Sequence, residues 1–135
     1  MKIGYGKQSI NKKDVNEVIK SIKGKFITQG PKVHEFEKSL SKYFGSKYCC
    51  VVNNGTSALF LAGIAMKWKK NDVVLTTPLT FVASANSIIY NNATPDFVDI
   101  NKKNLTIDLN LVEEKIKFYK KNGRKIKALI GVDFA

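Results

Sequence analysis

The first third of the chain spaces its apolar residues with the period of a helix. A helix is predicted over residues 12–23, with Asn11 as its cap, and a second over residues 32–44, after the Gly30–Pro31 break. The two apolar stripes are Val15, Val18, Ile19 and Ile22 in the first helix and Val33, Phe36, Leu40 and Tyr43 in the second. Two amphipathic helices therefore precede any strand.

From residue 48 onward, short apolar runs alternate with helical patterns. Strands are predicted over residues 48–52, 73–76, 95–100 and 127–132, and helices over residues 56–67, 81–90 and 111–121. Short apolar strands joined by helices are typical of a parallel sheet with helices on both faces. The predicted fold class is α/β. We expect an N-terminal arm and helices over residues 1–45 and an incomplete, mostly parallel sheet domain over residues 46–135.

Composition narrows the class of protein. The 135 residues are 44% hydrophobic, which is normal for a globular chain. No run reaches the roughly 18 apolar residues of a membrane span, and residues 1–10 lack the apolar core of a signal peptide. We therefore expect a cytoplasmic protein without a membrane partner.

The net charge of +12 raises the possibility of nucleic-acid binding. Arg124 is the only arginine, however, and the lysines are spread along the chain rather than gathered in one block. Solvated lysine-rich faces are the favoured interpretation, and no nucleic-acid partner is expected. A basic nucleic-acid-binding domain stays open as a less favoured alternative.

The sequence offers no metal site. His34 is the only histidine, so a His/Cys ligand cluster is not expected. The adjacent cysteines Cys49 and Cys50 would point to opposite faces of a strand and are poorly placed to pair. We interpret them as two small buried residues in a reducing compartment.

The strongest chemical signal is a small polar turn between a predicted strand and a helix, Asn53-Asn54-Gly55-Thr56-Ser57. A helix that starts there would aim free N–H groups and two hydroxyls at one spot, which suits a phosphate. The alternative is an ordinary helix cap. The run Thr76-Thr77-Pro78-Leu79-Thr80-Phe81 repeats the arrangement one unit later, and its aromatic is either a plate for a flat ligand or plain core.

Five segments together resemble the DegT/DnrJ/StrS family of sugar aminotransferases, from about residue 5 to residue 135. They are Phe26–Val33 with Phe36-Glu37, Asn54–Leu59, Thr76–Asn86, Thr94–Asp99 and Gly131–Ala135. The resemblance implies the N-terminal part of a fold-type I large domain that binds pyridoxal 5′-phosphate (PLP). The ending Val-Asp-Phe-Ala and the run Thr-Thr-Pro-Leu-Thr-Phe-Val-Ala-Ser-Ala-Asn look most like the PseC type. That type uses glutamate to aminate C4 of a UDP-linked 4-keto-6-deoxy-N-acetylhexosamine in pseudaminic acid synthesis.

By this resemblance Gly55, Thr56 and Ser57 hold the PLP phosphate and Phe81 stacks on the pyridine ring. Thr28 and Gln29 match a segment near the substrate mouth. Asp133, expected at the carboxyl end of a parallel strand, is a third candidate substrate residue. A homodimer is implied for the complete enzyme.

The Schiff-base lysine of the family is expected beyond Ala135, so no catalytic residue is assigned within the chain. Without that lysine the 135 residues are expected to be inactive alone, and a truncated, non-catalytic fragment is the main alternative function. In the family's fold, the strand at residues 48–52 would pair with a later strand that the 135 residues do not include. We therefore also expect open apolar sheet edges and poor stability.

Overall fold

The computed structural model describes residues 6–133, which form five helices and three strands. In chain order these are α1 (Lys12–Ile22), α2 (Pro31–Phe44), α3 (Gly55–Ala65), β1 (Val73–Thr76), α4 (Ala83–Tyr90), β2 (Thr94–Phe97), α5 (Leu109–Lys121) and β3 (Ile126–Leu129). The chain divides into two compact units between Val51 and Val52.

The N-terminal unit holds α1 and α2, and local signals fix their ends. The Asn11 side chain accepts hydrogen bonds from the N–H groups of Lys13 and Asp14, and Asp14 accepts from the Asn11 N–H at 2.8 Å, which completes a capping box. Pro31 opens α2, and Gly45 closes it with a φ of 65°. Both predicted helices are confirmed to within one residue at each end.

The predicted strand at residues 48–52 is wrong, because this segment is not paired with any strand of the described chain. An apolar run can match the strand pattern, but a strand also needs a neighbour for its N–H and C=O groups. The Val51 N–H donates instead to Glu37 Oε1 at 3.0 Å. The prediction that both cysteines are buried is also wrong. Both thiols are free as expected, but Cys50 is exposed and Cys49 only half-buried.

The C-terminal unit is built on a parallel sheet of order β2-β1-β3. All four residues of β1, the central strand, are buried. β1 leads through α4 to β2 on one side, and β2 leads through α5 to β3 on the other. Such crossovers need connections as long as a helix. The predicted α/β fold is therefore confirmed.

Each face of the sheet packs against helices. On one face Val74 packs with Ile88 of α4 and with Trp68, and α3 contacts α4. On the other, Val73 and Leu75 pack with Val112 and Tyr119 of α5. Adjacent residues of β1 thus serve opposite cores, as the two-residue period of a strand requires.

An irregularity in β3 keeps this arrangement consistent. Val73 pairs with Ile126 and Val74 with Ala128, so one extra residue, Lys127, lies between the two pairs. Ile126 consequently packs on the α5 face and Ala128 on the α4 face, although they are two residues apart.

Two predicted strands are shorter than expected. β2 ends at Phe97 instead of residue 100, and Ile100 makes an isolated antiparallel bridge with Ile107. β3 ends at Leu129 instead of residue 132, although the Ile130 N–H still donates to Leu75 O at 2.8 Å. Because the central strand β1 has only four residues, it limits the length over which β2 and β3 can pair with it.

Candidate functional site

The start of α3 presents unused hydrogen-bond donors. Asn54 lies in extended conformation before the helix, and its Oδ1 accepts from the Ser57 N–H at 2.8 Å. The first intrahelical bond runs from the Ala58 N–H to Asn54 O. By helix geometry the N–H groups of Gly55 and Thr56 lack an acceptor within the helix. The first turn carries no acidic residue, so its positive end is not neutralised by the chain.

Two hydroxyls lie beside these N–H groups. Ser57 Oγ donates to Asn53 Oδ1 at 3.2 Å, and Asn54 Nδ2 donates to the same oxygen at 3.1 Å. Thr56 and Ser57 are half-buried, whereas Gly55 is exposed and a Cβ atom there would meet nothing within 4 Å. The turn is thus open to a ligand and held in shape by two asparagines.

The segment after β1 carries the candidate aromatic plate. Thr77 is buried, and the N–H of Leu79 donates to its Oγ1 at 3.4 Å. The Thr80 N–H donates to Pro78 O at 3.1 Å, which closes a tight turn. The predicted helix over residues 81–90 begins two residues later, at Ala83. Phe81 therefore lies on the turn, with its side chain 75% exposed, so the alternative that it is plain core is wrong.

Asp133 lies farther from the sheet than expected. It is exposed and follows the last residue of β3 by four positions. The carboxyl ends of the three strands lie together, since Thr76 O accepts from the Val98 N–H and Thr76 Oγ1 donates to Ile130 O at 3.3 Å. Asp133 comes three residues after this edge, on a segment without regular secondary structure rather than on a strand.

Thr28 and Gln29 lie in the N-terminal unit, between α1 and α2, and both are exposed. Gln29 has a φ of 53°, in the left-handed region that glycine favours. It lines a cavity of about 470 Å³ together with Phe26, Ile27 and parts of both helices. A strained, polar residue at a cavity is compatible with a binding role.

A charged cluster lies between β2 and α5. Lys115 Nζ donates to both carboxylate oxygens of Asp96, at 2.8 and 2.7 Å, and Tyr119 Oη donates to Asp96 Oδ2 at 3.0 Å. Desolvation alone would raise the pKa of Asp96. The hydrogen bonds from Lys115, the Phe97 N–H and Tyr119 outweigh it and hold the pKa below its ordinary value. Burial and the bond to Asp96 raise the pKa of Tyr119.

The structure brings only some of the candidates into one unit. α3, which begins with Gly55, Thr56 and Ser57, packs on α4, which follows Phe81, and Asp133 belongs to the same unit. Thr28 and Gln29 belong to the other. Sequence reasoning missed Thr80 and Ser84, whose hydroxyls are 2.7 Å apart, and the Asp96 cluster. The i, i+4 spacing of hydroxyls around Phe81 is the signal that could have found the first pair.

Comparison with known proteins identifies the family. Residues 8–135 match the model of the DegT/DnrJ/EryC1/StrS aminotransferases. The chain belongs to this family. This confirms the resemblance drawn from the five sequence segments.

Individual relatives agree with this membership. The chain is 42% identical, over 98% of its length, to UDP-4-amino-4,6-dideoxy-N-acetyl-beta-L-altrosamine transaminase of Campylobacter jejuni. It is 41% identical, over 77% of its length, to the spore coat polysaccharide biosynthesis protein SpsC of Bacillus subtilis. The chain spans 34% of the first protein and 27% of the second, about a third of a relative's length.

Solved structures carry the same fold. The Helicobacter pylori aminotransferase PseC superposes with a TM-score of 0.80 at 29% identity, over 97% of this chain and 34% of that one. A putative sugar aminotransferase of Streptococcus pneumoniae in its PMP form gives 0.76 at 31% identity, over 84% of this chain and 29% of that one. The same protein is known in a PLP form. The expected cofactor is thus confirmed at the level of the family.

The start of α3 fits the phosphate of such a cofactor. It offers two N–H groups without an intrahelical acceptor and the Thr56 hydroxyl, and its first turn carries no acidic residue. Over residues 6–133 no group of three His, Cys, Asp or Glu residues is placed to hold a metal. No helix of the described chain is long and apolar enough to cross a membrane.

Proposed function

We propose that the chain is the cofactor-binding N-terminal part of a PLP-dependent aminotransferase that acts on a nucleotide sugar. The open start of α3 is the observation that carries the proposal. Gly55 and Thr56 donate their N–H groups to the phosphate, and the Thr56 and Ser57 hydroxyls complete its shell. Asn54 Oδ1 accepts a hydrogen bond from the Ser57 N–H, and this bond fixes the direction in which the Gly55 and Thr56 N–H groups point. Helix N-termini bind phosphate in this way in many folds.

Phe81 orients the cofactor ring in this proposal. An aromatic side chain that is 75% exposed offers a flat face to a ligand, and an offset stack with a pyridine ring contributes about 0.5–1.5 kcal/mol. When bound, PLP supplies the electron sink for cleaving and forming bonds at the amine carbon. Phe81 holds the plane of the ring, and Thr28, Gln29 and Asp133 are the proposed contacts to substrate.

The proposed reaction is amination of C4 in a UDP-linked 4-keto-6-deoxy-N-acetylhexosamine, with glutamate as the amino donor, as in pseudaminic acid synthesis. The identity of 42% over almost the whole chain to the Campylobacter altrosamine transaminase supports this substrate class. The excess of 12 positive charges also favours a nucleotide diphosphate over a neutral sugar.

The complete enzyme is proposed to be a homodimer, with the Schiff-base lysine supplied outside residues 1–135. Accordingly, the 135-residue chain is proposed to bind the cofactor but not to catalyse transamination. The division into an N-terminal helical part and an incomplete cofactor domain, placed at residues 45 and 46 from the sequence, stays part of this proposal.

A chimera tests the proposed reaction. Residues 1–135 of this chain replace the matching third of the Campylobacter transaminase, and glutamate-dependent formation of the 4-amino sugar is followed by mass spectrometry. Retained amination of the UDP-linked 4-keto sugar is expected. A chimera that folds and binds PLP but aminates other 4-keto sugars instead would contradict the proposed substrate.

A matched pair of glycine variants tests the phosphate site within that chimera. Gly55→Asp places a carboxylate at the start of α3 and is expected to lower PLP affinity by at least about 100-fold, through repulsion and lost N–H access. Gly6→Asp adds the same charge at another exposed glycine with open space around it. Equal PLP affinity in both variants would remove Gly55 from the site.

A further inference from the structure

Phe81 is held by its turn and not by packing. Its side chain is 75% exposed, so surrounding apolar atoms cannot fix the direction of the ring. The backbone around it must therefore be set by the hydrogen bonds on either side. These begin at Thr77, which is buried at the end of β1, and end in the first turn of α4.

A pair of hydroxyls spans Phe81. Thr80 Oγ1 and Ser84 Oγ lie 2.7 Å apart, one residue before Phe81 and three residues after it. The Ser84 N–H also donates to Phe81 O at 3.0 Å. Ser84 is 6% exposed, so its hydroxyl has no ready exchange with water. The two side chains thus join the turn to the helix directly across the aromatic residue.

The start of α4 shows why this pair matters. The residue before the helix, Val82, cannot cap it, and α4 has no side-chain cap hydrogen bond. α1, α3 and α5 are all capped by Asn or Asp. An uncapped helix start tends to fray, and fraying here would release Phe81. The Thr80–Ser84 bond is a side-chain contact that ties this turn to the first turn of α4.

We propose that Thr80 and Ser84 are positioning residues for the cofactor ring: their mutual hydrogen bond fixes the plane that Phe81 presents. The proposal rests on the proposed function of Phe81. It assigns the two hydroxyls an indirect role, without contact to the cofactor. Removing either hydroxyl frees the turn and misaligns the ring stack, while the phosphate contacts of α3 are unchanged.

The test uses pyridoxamine 5′-phosphate (PMP), because the aldehyde of PLP would react with several of the chain's lysines. PMP and inorganic phosphate are titrated against the 135-residue chain by NMR. Thr80→Val is expected to weaken PMP binding about threefold to tenfold, the range of one lost aromatic contact. Phosphate binding should be unchanged. Thr80→Ser, which keeps a hydroxyl, should restore PMP affinity, whereas Ser84→Ala should behave like Thr80→Val.

A double-mutant cycle separates positioning from general stability. In a Phe81→Ala background, Thr80→Val should change PMP affinity by less than about 1.5-fold, because the ring contact is already lost. Ser87→Ala is the matched control. Its buried hydroxyl donates to Ser84 O at 3.0 Å on the same helix but does not reach the turn. An equal loss with and without Phe81 would overturn the proposal.

Amide hydrogen exchange, measured without ligand, tests the positioning role separately from the proposed function. Thr80→Val should accelerate amide hydrogen exchange at residues 79–84 at least about fivefold, the response of a locally opened segment, and Ser87→Ala should not. Unchanged exchange would contradict the positioning role whether or not PMP binds. If the unsubstituted chain shows normal exchange protection but binds no PMP, the proposed function fails instead.

Discussion

At the scale of single residues, Asp96 shows how a half-buried charge can be retained in a parallel sheet. Its carboxylate accepts from Lys115, Tyr119 and the Phe97 N–H, so the cost of desolvation is offset by several donors. Arg124 extends the cluster, since its guanidinium carbon lies 5.3 Å from the centre of the Tyr119 ring. The cluster ties β2 to α5 and to the segment that leads into β3.

Asp96→Asn is expected to lower the free energy of unfolding at pH 7 by about 1–2 kcal/mol, because hydrogen bonds to a charged group are lost. The pKa of Asp96 is lowered in the folded protein, so its contribution is complete above the unfolded pKa, about 3.9. It disappears as the pH falls through the lower, folded pKa. The free energies of unfolding of the two proteins, measured by urea denaturation, should therefore differ at pH 7, and the difference should shrink as the pH is lowered below about 3.9.

The control for Asp96 is Glu113→Gln, which breaks the exposed pair of Glu113 with Lys117 on α5. An exposed pair of this spacing contributes only about 0.3–0.5 kcal/mol. A loss as large as that of Asp96→Asn, or a difference for Asp96→Asn that does not shrink as the pH is lowered below about 3.9, would contradict the role given to the cluster.

At the scale of elements, the contact of α3 with α4 depends on one glycine. A Cβ at Gly63 would lie 2.7 Å from Trp68 Cε3 and closer still to Asn91 Nδ2. Asn91 Nδ2 donates to Phe60 O of α3 at 3.1 Å and to Ser87 O of its own helix at 2.8 Å, so it cannot move without breaking the bond that links the two helices. The Phe60 and Tyr90 rings meet edge to face beside it.

Gly63→Ala should destabilise the C-terminal unit by about 1–3 kcal/mol, despite the higher helix propensity of alanine, because the added methyl overpacks this contact. The shift is read from the urea midpoint at constant slope. Gly131→Ala, where a Cβ would meet nothing within 4 Å, is the control and should stay within about 0.5 kcal/mol. Unchanged stability in Gly63→Ala would show that Asn91 is free to move.

The same scale shows what a sequence can predict. β1 was predicted over its observed residues because four consecutive apolar or β-branched residues, Val73–Thr76, form a buried central strand. The start of α3 followed from its small polar turn. Residues 48–52 carry an equally good apolar pattern, but pairing depends on distant chain segments that a local pattern does not contain. The Asp96 cluster was missed for the same reason, since its partners Lys115 and Tyr119 are distant in sequence. The Thr80–Ser84 contact is local, but its i, i+4 spacing shows a contact only once the side-chain geometry of the turn is known.

At the scale of the whole molecule, the two units differ in burial. No described residue of the N-terminal unit is buried, and α1 exposes Val15, Val18 and Ile22. The C-terminal unit buries Val73, Val74, Leu75 and Ile88 completely. Because hydrophobic burial is the main favourable term in folding, stability should be concentrated in the second unit.

Amide hydrogen exchange of the 135-residue chain should reflect this difference. β1 and α4 should exchange at least about 100-fold more slowly than α1 and α2, since opening a segment without a core costs little free energy. Aggregation at high concentration is also expected from the exposed apolar residues. A sharp, cooperative thermal transition of a soluble monomer, with equal protection in both units, would contradict this prediction.

The measurement that tests the account most directly is a ¹H–¹⁵N NMR titration of the 135-residue chain with PMP. The account predicts that the amide signals of Gly55, Thr56 and Ser57 shift in a saturable manner, together with the Phe81 ring protons. Inorganic phosphate should shift the α3 amides alone. Saturable PMP binding that leaves Gly55–Ser57 unperturbed, or no binding to a chain whose sheet is folded, would contradict the assignment of this helix start as the cofactor phosphate site.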